Sequence, residues 1–437
     1  MENRHKARDL QIPSFRNVFY NLGIFQFLSF LRRGTFYTFM INYLYMLMPD
    51  VTLTASLGTL NMIASSLGQN LLWGRICDRY KLRAKLIVMG ETIAGFAYII
   101  VFLIHKSLID SGNGFTAGLA IIFGLSVLEF FWSMSDVGWA ALLTDVTTPE
   151  IRGRIVGTLN FISSLGRMVG MAFAGFLYAD GEGFKNGTIF YIVTILLFIG
   201  AAIMTFVSKH IKAQSPTQKQ QIRKGKEGGE GKIFDGNEKT YMWFLVSLII
   251  IILGAASINQ IFLLFINLNP GLNANDQEMV FILSAWAVGG MIASAVSGRL
   301  ADKIERSNVM LFGLGLAIIT PLLYGLASNF RVMALIYGLN GVSFWTIQTA
   351  GFAFAGDIIP EHKRGRLFSR YNTVMALSWG PAGILIGGPF ADIQVKIFGL
   401  SEHVAFIHAF YVSSIIVILG TIVFAIKFGK LKTPFKL

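Results

Sequence analysis

Six ionisable side chains sit inside long apolar stretches of this chain: Arg32, Arg33, Glu91, Glu129, Asp136 and Arg167. Holding one such group in the hydrocarbon core of a bilayer costs roughly 2.5–3.5 kcal/mol on insertion scales. They persist there only by pairing with one another or by facing a polar cavity, and such places mark ion and proton paths. At ~1.5 Å rise per residue, Arg32 and Arg33 lie roughly 20 Å into their stretch, Glu129 about 24 Å before the Asp145 loop, and Arg167 about 20 Å after Arg154. The three levels agree within a helical turn. Asp136 falls on nearly the same helix face as Glu129, so Glu129, Ser133 and Asp136 form a polar stripe. The chemistry this allows is proton exchange by Glu129 or Asp136 as a neighbouring arginine moves, because burial and ion pairing pull a carboxyl in opposite directions. A static salt-bridge network that fixes helix packing is the competing reading. Glu91, six residues from Lys85, reads as structural.

The elements that must hold these groups are membrane spans. The chain has 437 residues, of which 54% are hydrophobic and 14% charged, and its mean hydropathy is +0.60. A soluble domain carries roughly 25% charged residues. A helix crossing a bilayer needs about 20 apolar residues. Twelve stretches qualify on reading the sequence: 19–48, 52–74, 85–105, 117–143, 153–178, 188–208, 241–267, 276–298, 308–327, 332–355, 367–391 and 404–427. The ends 1–18 and 429–437 are polar tails, and no cleavable signal peptide is expected. Residues 211–240 are rich in Gln, Lys, Gly and Glu and cannot bury enough apolar surface to order themselves, so a flexible linker is expected between a bundle at 19–210 and another at 241–428.

The net charge of +13 is a topology signal rather than a nucleic-acid footprint. Of the 37 Lys and Arg, 30 fall in the tails, the linker and the loops on one face. Lys106, Lys185, Arg331 and Lys396 fall on the other. By the positive-inside rule both termini are expected in the cytoplasm of a multi-pass plasma-membrane protein. The partners expected are lipid, a small-molecule substrate and a proton, with no nucleic acid and a monomeric chain.

Loop chemistry repeats at half-length. Gly74-Arg75-Ile76-Cys77-Asp78-Arg79 is echoed by Gly298-Arg299-Leu300-Ala301-Asp302-Lys303, and the run from Asp145 to Arg154 by the run from Asp357 to Arg366. These motifs resemble those of the major facilitator superfamily of secondary transporters, and the likeness covers nearly the whole chain. Gly74, Asp78 and Arg79 fit the signature loop, while Lys81 stands in a glycine slot and Leu82 in an arginine slot. The resemblance implies an all-α integral membrane fold: twelve transmembrane helices in two pseudo-symmetric six-helix bundles. It implies that Arg32 or Arg33, Glu129, Asp136 and Arg167 converge on a central cavity. It also implies a cytoplasmic gate formed by Gly74, Asp78, Arg79, Asp145, Arg152, Gly298, Asp302 and Arg364, in which Asp78 latches the closed state. A permanent cap without switching is the alternative.

The second half has no equivalent charges within its spans. Its candidate cavity residues are neutral or aromatic: Asn259, Gln260, Trp286, Asn340, Trp345, Gln348 and Trp379. Three arginines against two carboxylates leave the expected cavity near +1, which leans toward a carboxylate- or phosphate-bearing substrate. An amphipath stacking on the tryptophans is the rival. The family's antiporter signature is incomplete on the fifth span, where Gly166-Arg167-Met168-Val169-Gly170 lacks the proline. The reading leans toward proton-coupled export, with uptake of an organic anion or sugar-like solute as the alternative and, from a different class, a non-transporting membrane sensor or a membrane enzyme. A membrane enzyme would need clustered nucleophiles or ligands. The six histidines are scattered, Cys77 is the only cysteine and no phosphate-binding loop is present, so no cofactor, metal or ATP-driven pump is expected.

Overall fold

The computed structural model describes residues 13–146, 149–212, 238–268, 272–358, 367, 370, 371, 373–375 and 380–429. Among these the chain is helical, without strands. The first half runs α1 (Pro13–Tyr37), α2 (Met40–Leu47), α3 (Val51–Leu67), a π-helical turn (Gly68–Trp73), α4 (Gly74–Tyr80), α5 (Arg83–Asp110), α6 (Gly114–Val146), α7 (Pro149–Leu177), the short α8 (Glu182–Lys185) and α9 (Thr188–Lys212). The second runs α10 (Glu238–Ala256), α11 (Asn259–Asn267), α12 (Asp276–Lys303), α13 (Arg306–Tyr324), α14 (Phe330–Ile358), a second π-helical turn (Gly383–Gly387), α15 (Gly388–Lys396) and α16 (Glu402–Phe428).

Among the described residues eight helices are long and apolar enough to cross a membrane, or nine if Thr158–Leu177 and Ala179–Lys185, bent by 60°, form one span. The first expected span is split between α1 and α2. The second passes through the π-helical turn, and the eleventh falls partly outside the described residues.

Packing repeats between the halves. α5 packs on α6 as α13 packs on α14, α5 on α9 as α13 on α16, and α1 on α9 as α10 on α16. The breaks repeat too. Thr38 donates its hydroxyl to Gly34 O at 2.5 Å where α1 gives way to α2. Ser257 donates to Gly254 O at 2.7 Å where α10 gives way to α11. A hydroxyl that bonds back onto its own helix competes with the backbone ladder and bends it.

Small residues set the closest approaches. A Cβ on Gly34 would lie 2.4 Å from Arg167 O, one on Gly166 2.4 Å from Phe27 O, and one on Gly170 2.1 Å from Leu31 O. The backbones of α1 and α7 therefore touch, as expected where lipid supplies no hydrophobic drive and close packing must hold helices together. In the second half Gly289 and Gly341 bring α12 and α14 together in the same way.

Candidate functional site

The α1–α7 contact delivers Arg32 and Arg33 to the stripe on α6. Arg33 Nη2 lies 3.5 Å from Asp136 Oδ1, with both side chains part-exposed. The Arg32 and Arg33 guanidinium carbons lie 4.4 and 4.3 Å from the centroid of the Trp132 ring. Such stacking favours the cation through the ring quadrupole. The Trp132 indole N–H donates to Glu91 Oε1 at 2.8 Å, and the Ser135 hydroxyl donates to the same oxygen at 2.8 Å. Glu91 is thus buried and bonded from α6. Glu129, half-buried one turn from Trp132, feels Asp136, Arg33 and Arg32, with Ser65 nearby. Arg32 is 2% exposed, and its Nε and Nη2 have no hydrogen-bond partner.

Arg167 has an exposed side chain although its electrostatic neighbours are Arg33 from α1 and Tyr337 from α14. It is thus an exposed side chain that feels groups of both halves. The structure thus brings Arg32, Arg33, Glu129 and Asp136 together with Arg167 beside them. Sequence reading missed Trp132, which lies three residues after Glu129 and four before Asp136 and so on the same helix face. It also missed Tyr37 and Tyr98, whose hydroxyls meet beside Arg32.

The second-half candidates are more dispersed. Asn259 and Gln260 begin α11 and are half-buried. Gln260 threads between Gly58 of α3 and Gly383 of the second π-helical turn, and its buried Oε1 lacks a partner. Trp286 Nε1 donates to Asn340 Oδ1 at 3.2 Å, and Asn340 Nδ2 donates to Thr320 Oγ1 at 3.2 Å. That chain stitches α12, α14 and α13 together, so Asn340 serves packing here. Trp345 lies against Gly290, and Gln348 is half-buried one turn on. Trp379 lies outside the described residues.

On the face rich in Lys and Arg, Gly74 packs on Gln69 O and Arg79 is exposed over the Tyr80 ring. The side chains of Asp78, Asp145, Arg152, Gly298 and Asp302 lie outside those described, as does Arg364 altogether. Asp357, which repeats Asp145, accepts from Arg306 Nη1 at 2.5 Å within its own half.

The opposite face carries a junction that the sequence did not announce. Asp392 accepts Val51 N–H at 3.2 Å, Thr52 N–H at 2.9 Å and the Thr52 hydroxyl at 2.5 Å. Lys396 bonds Asp50 and lies 3.7 Å from Asp392. The Tyr45 hydroxyl donates to Glu402 Oε1 at 2.5 Å. Apart from the Lys396–Asp392 pair, which lies within one helix, every one of these bonds joins the two halves. Closer to the middle, Thr59 donates to Gly380 O at 2.8 Å. One apolar core that includes Phe36, Phe39 and Tyr43 with Phe262, Phe265 and Phe410 seals the same end. Among the described residues no cluster of three His, Cys, Asp or Glu could hold a metal ion.

Comparisons with known proteins agree with this architecture. The quinolone resistance protein NorA of Staphylococcus aureus is 25% identical over 125 residues, 28% of this chain and 31% of that protein. The curated relatives matched are spanned over only 17% to 31% of their own length. A bacterial homolog of the human lysosomal transporter Spinster superposes with a TM-score of 0.69 at 12% identity, covering 95% of this chain and 97% of that one. A bacterial homologue of the iron transporter ferroportin gives 0.68 at 15% identity, covering 94% and 98%. The family model described as Major Facilitator Superfamily matches residues 22–383 and 246–436. A chain of packed apolar helices with repeated halves and a charged centre therefore belongs to the Major Facilitator Superfamily of membrane transporters.

Proposed function

We propose that this chain is a secondary active transporter that moves a small organic solute by alternating access, coupled to protons through Glu129 and Asp136. In this reading twelve spans form bundles at 19–210 and 241–428 joined by the 211–240 linker. The Lys- and Arg-rich face is cytoplasmic, the membrane is the plasma membrane and the chain works as a monomer.

The observation that carries the reading is the part-exposed Arg33–Asp136 pair at 3.5 Å, beside a space between halves that are bonded together only toward one face in the contacts described above. A loose pair in such a place changes partners at little cost. Protonating Asp136 or Glu129 frees Arg33, and a moving Arg33 alters the affinity of both carboxyls for protons. That reciprocity is what coupling requires. Closure at the sparse face and a solvent-reached Arg167 describe an inward-open state. Export is the favoured direction, since the NorA relative is named for resistance to a drug class.

The test is flux of a mixed organic-anion and drug panel into and out of proteoliposomes, with and without an imposed pH gradient. The expected outcome is a pH-gradient-driven flux that Glu129→Gln and Asp136→Asn uncouple. Unchanged gradient response in both variants removes proton coupling, and no flux of any compound in either direction removes the transport reading.

A further inference from the structure

Across the six central groups three arginines and three carboxyls cancel formally, but on the side of the arginines they do not, and the imbalance has a location. Glu91 is committed to Trp132 and Ser135 behind the Trp132 ring. Glu129 and Asp136 remain to face Arg32, Arg33 and Arg167. Arg33 reaches Asp136 only at 3.5 Å, well beyond the 2.7–2.9 Å usual for a charge-assisted N–H···O bond. Arg167 makes no hydrogen bond or ion pair with any described residue, and the charge that bears on it is the like charge of Arg33. Arg32 keeps two buried nitrogens unpartnered. The glycine contacts between α1 and α7 hold these like charges together, because a Cβ at Gly34 or Gly170 would strike backbone. Packing alone gives no reason to gather unpaired guanidinium groups. Recognition of an anion does.

We infer that the cavity binds a solute bearing a carboxylate or phosphate group, seated between Arg33 and Arg167 and met from the second half by the Tyr337 hydroxyl. This rests on the transport reading for the solute's passage, not for its binding. Arg167 is open to solvent, so the anion can reach it. A planar guanidinium fork matches a carboxylate or phosphate with two parallel N–H···O bonds, which a lysine cannot supply. Tyr337 is fixed from behind by Phe262, whose ring stacks on it at 4.1 Å and 14°. An anion held by α1 and α7 on one side and α14 on the other touches both halves, so its arrival bears directly on their relative position. A cationic solute would meet three guanidinium groups and would have to displace Arg33 from Asp136.

The inference is tested by binding, independently of flux. The melting temperature of the full chain in lipid nanodiscs is followed during titration with benzoate, phenylphosphonate, benzyl alcohol or benzylammonium at constant ionic strength, with inorganic phosphate as a body-free control. Benzoate and phenylphosphonate are expected to raise it saturably, benzyl alcohol and benzylammonium not. Arg167→Gln is expected to abolish the anion response and Arg167→Lys to restore part of it. If R167Q does not fold, Tyr337→Phe carries the test, with an expected several-fold weaker anion response. The proposal is overturned if benzylammonium stabilises as well as benzoate, if no anion stabilises, or if R167Q and Y337F both respond like the parent chain. A saturable anion response without flux in proteoliposomes keeps the site and removes the transport reading. Flux of benzylammonium without an anion response does the reverse.

Discussion

Asp392 caps a helix that it does not belong to. Its carboxylate accepts the backbone N–H of Thr52 at 2.9 Å, in the first turn of α3, from α15 in the other half. Helix N-termini carry unpaired N–H groups and a partial positive charge, so an acceptor there contributes typically ~1 kcal/mol. Here that acceptor is lost whenever the halves part on this face. Asp392→Asn keeps the shape and removes the charge. It is expected to weaken closure of the sparse face by about 1 kcal/mol, or roughly fivefold in population. Spin labels at Lys185 and Arg331, on that face in opposite halves, should show a larger long-distance population by pulsed electron resonance. An unchanged distance distribution would show that the apolar core alone holds the face shut.

The pH dependence of that junction is expected to be flat near neutrality. Burial pushes the Asp50 carboxyl up, but bonds from Lys396 and the Leu53 N–H outweigh it and leave the group below its ordinary value of 3.8. The bond to Asp50 raises Lys396 above its ordinary 10.5. A depressed acid contributes closure above its ordinary value and loses it as pH falls through the depressed one. A raised lysine contributes below its ordinary value and loses it as pH rises through the raised one. Both charges are therefore in place from about pH 5 to 9. The same spin-label distances should hold across that range, and a pH response of transport within it should persist in Lys396→Met. Opening of this face between pH 6 and 8 in the parent chain, absent in K396M, would contradict the assignment.

What sequence reading could see follows from cost. A charge in lipid is expensive, so Arg32, Arg33, Glu129, Asp136 and Arg167 stand out, and a spacing of about two helical turns places the two carboxyls on one face. The repeated loops around Asp78 and Asp302 announce the fold for the same reason, since polar residues in so apolar a chain are conspicuous. Trp132 stayed hidden because an aromatic in a membrane helix is ordinarily packing. Nothing in its type reveals that its faces carry arginines and its N–H a buried glutamate. Asp50, Asp392 and Lys396 stayed hidden because charges at span ends are ordinary. Their meaning lies in contacts across 340 or more positions of sequence. The breaks at Thr38 and Ser257 carry no proline and depend on hydroxyl rotamers that sequence does not display.

Trp132 should be sensitive in an asymmetric way. Trp132→Phe keeps an aromatic face for Arg32 and Arg33 but removes the N–H given to Glu91. A hydrogen bond to a charged, buried group contributes about 1.5–3 kcal/mol, so the melting temperature in nanodiscs should fall. Adding Glu91→Gln removes the charge that was left short of a donor, and should recover part of that loss. If the double variant melts lower than Trp132→Phe alone, Glu91 does not depend on the indole and the network must be drawn differently.

The α1–α7 contact offers the sharpest separation of packing from chemistry. Gly170→Ala would put a Cβ 2.1 Å from Leu31 O and 2.9 Å from Thr35 N. Neither is a flexible side-chain end, so the helices must separate. Overpacking of this kind typically costs 1–3 kcal/mol, here taken as about 2. Separation also carries Arg167 away from Arg33, so the like-charge repulsion between them is relieved while any ligand bridging both is lost. Gly315→Ala in α13 is the control, because nothing lies within 4 Å of a Cβ there. It should melt as the parent chain does or slightly higher, since alanine favours the helix over glycine by ~1 kcal/mol. The decisive reading is the pair of effects in Gly170→Ala: lower melting temperature together with a weakened benzoate response. A stability loss with the anion response intact would mean that the arginines keep their spacing without backbone contact, and that the glycines serve assembly alone.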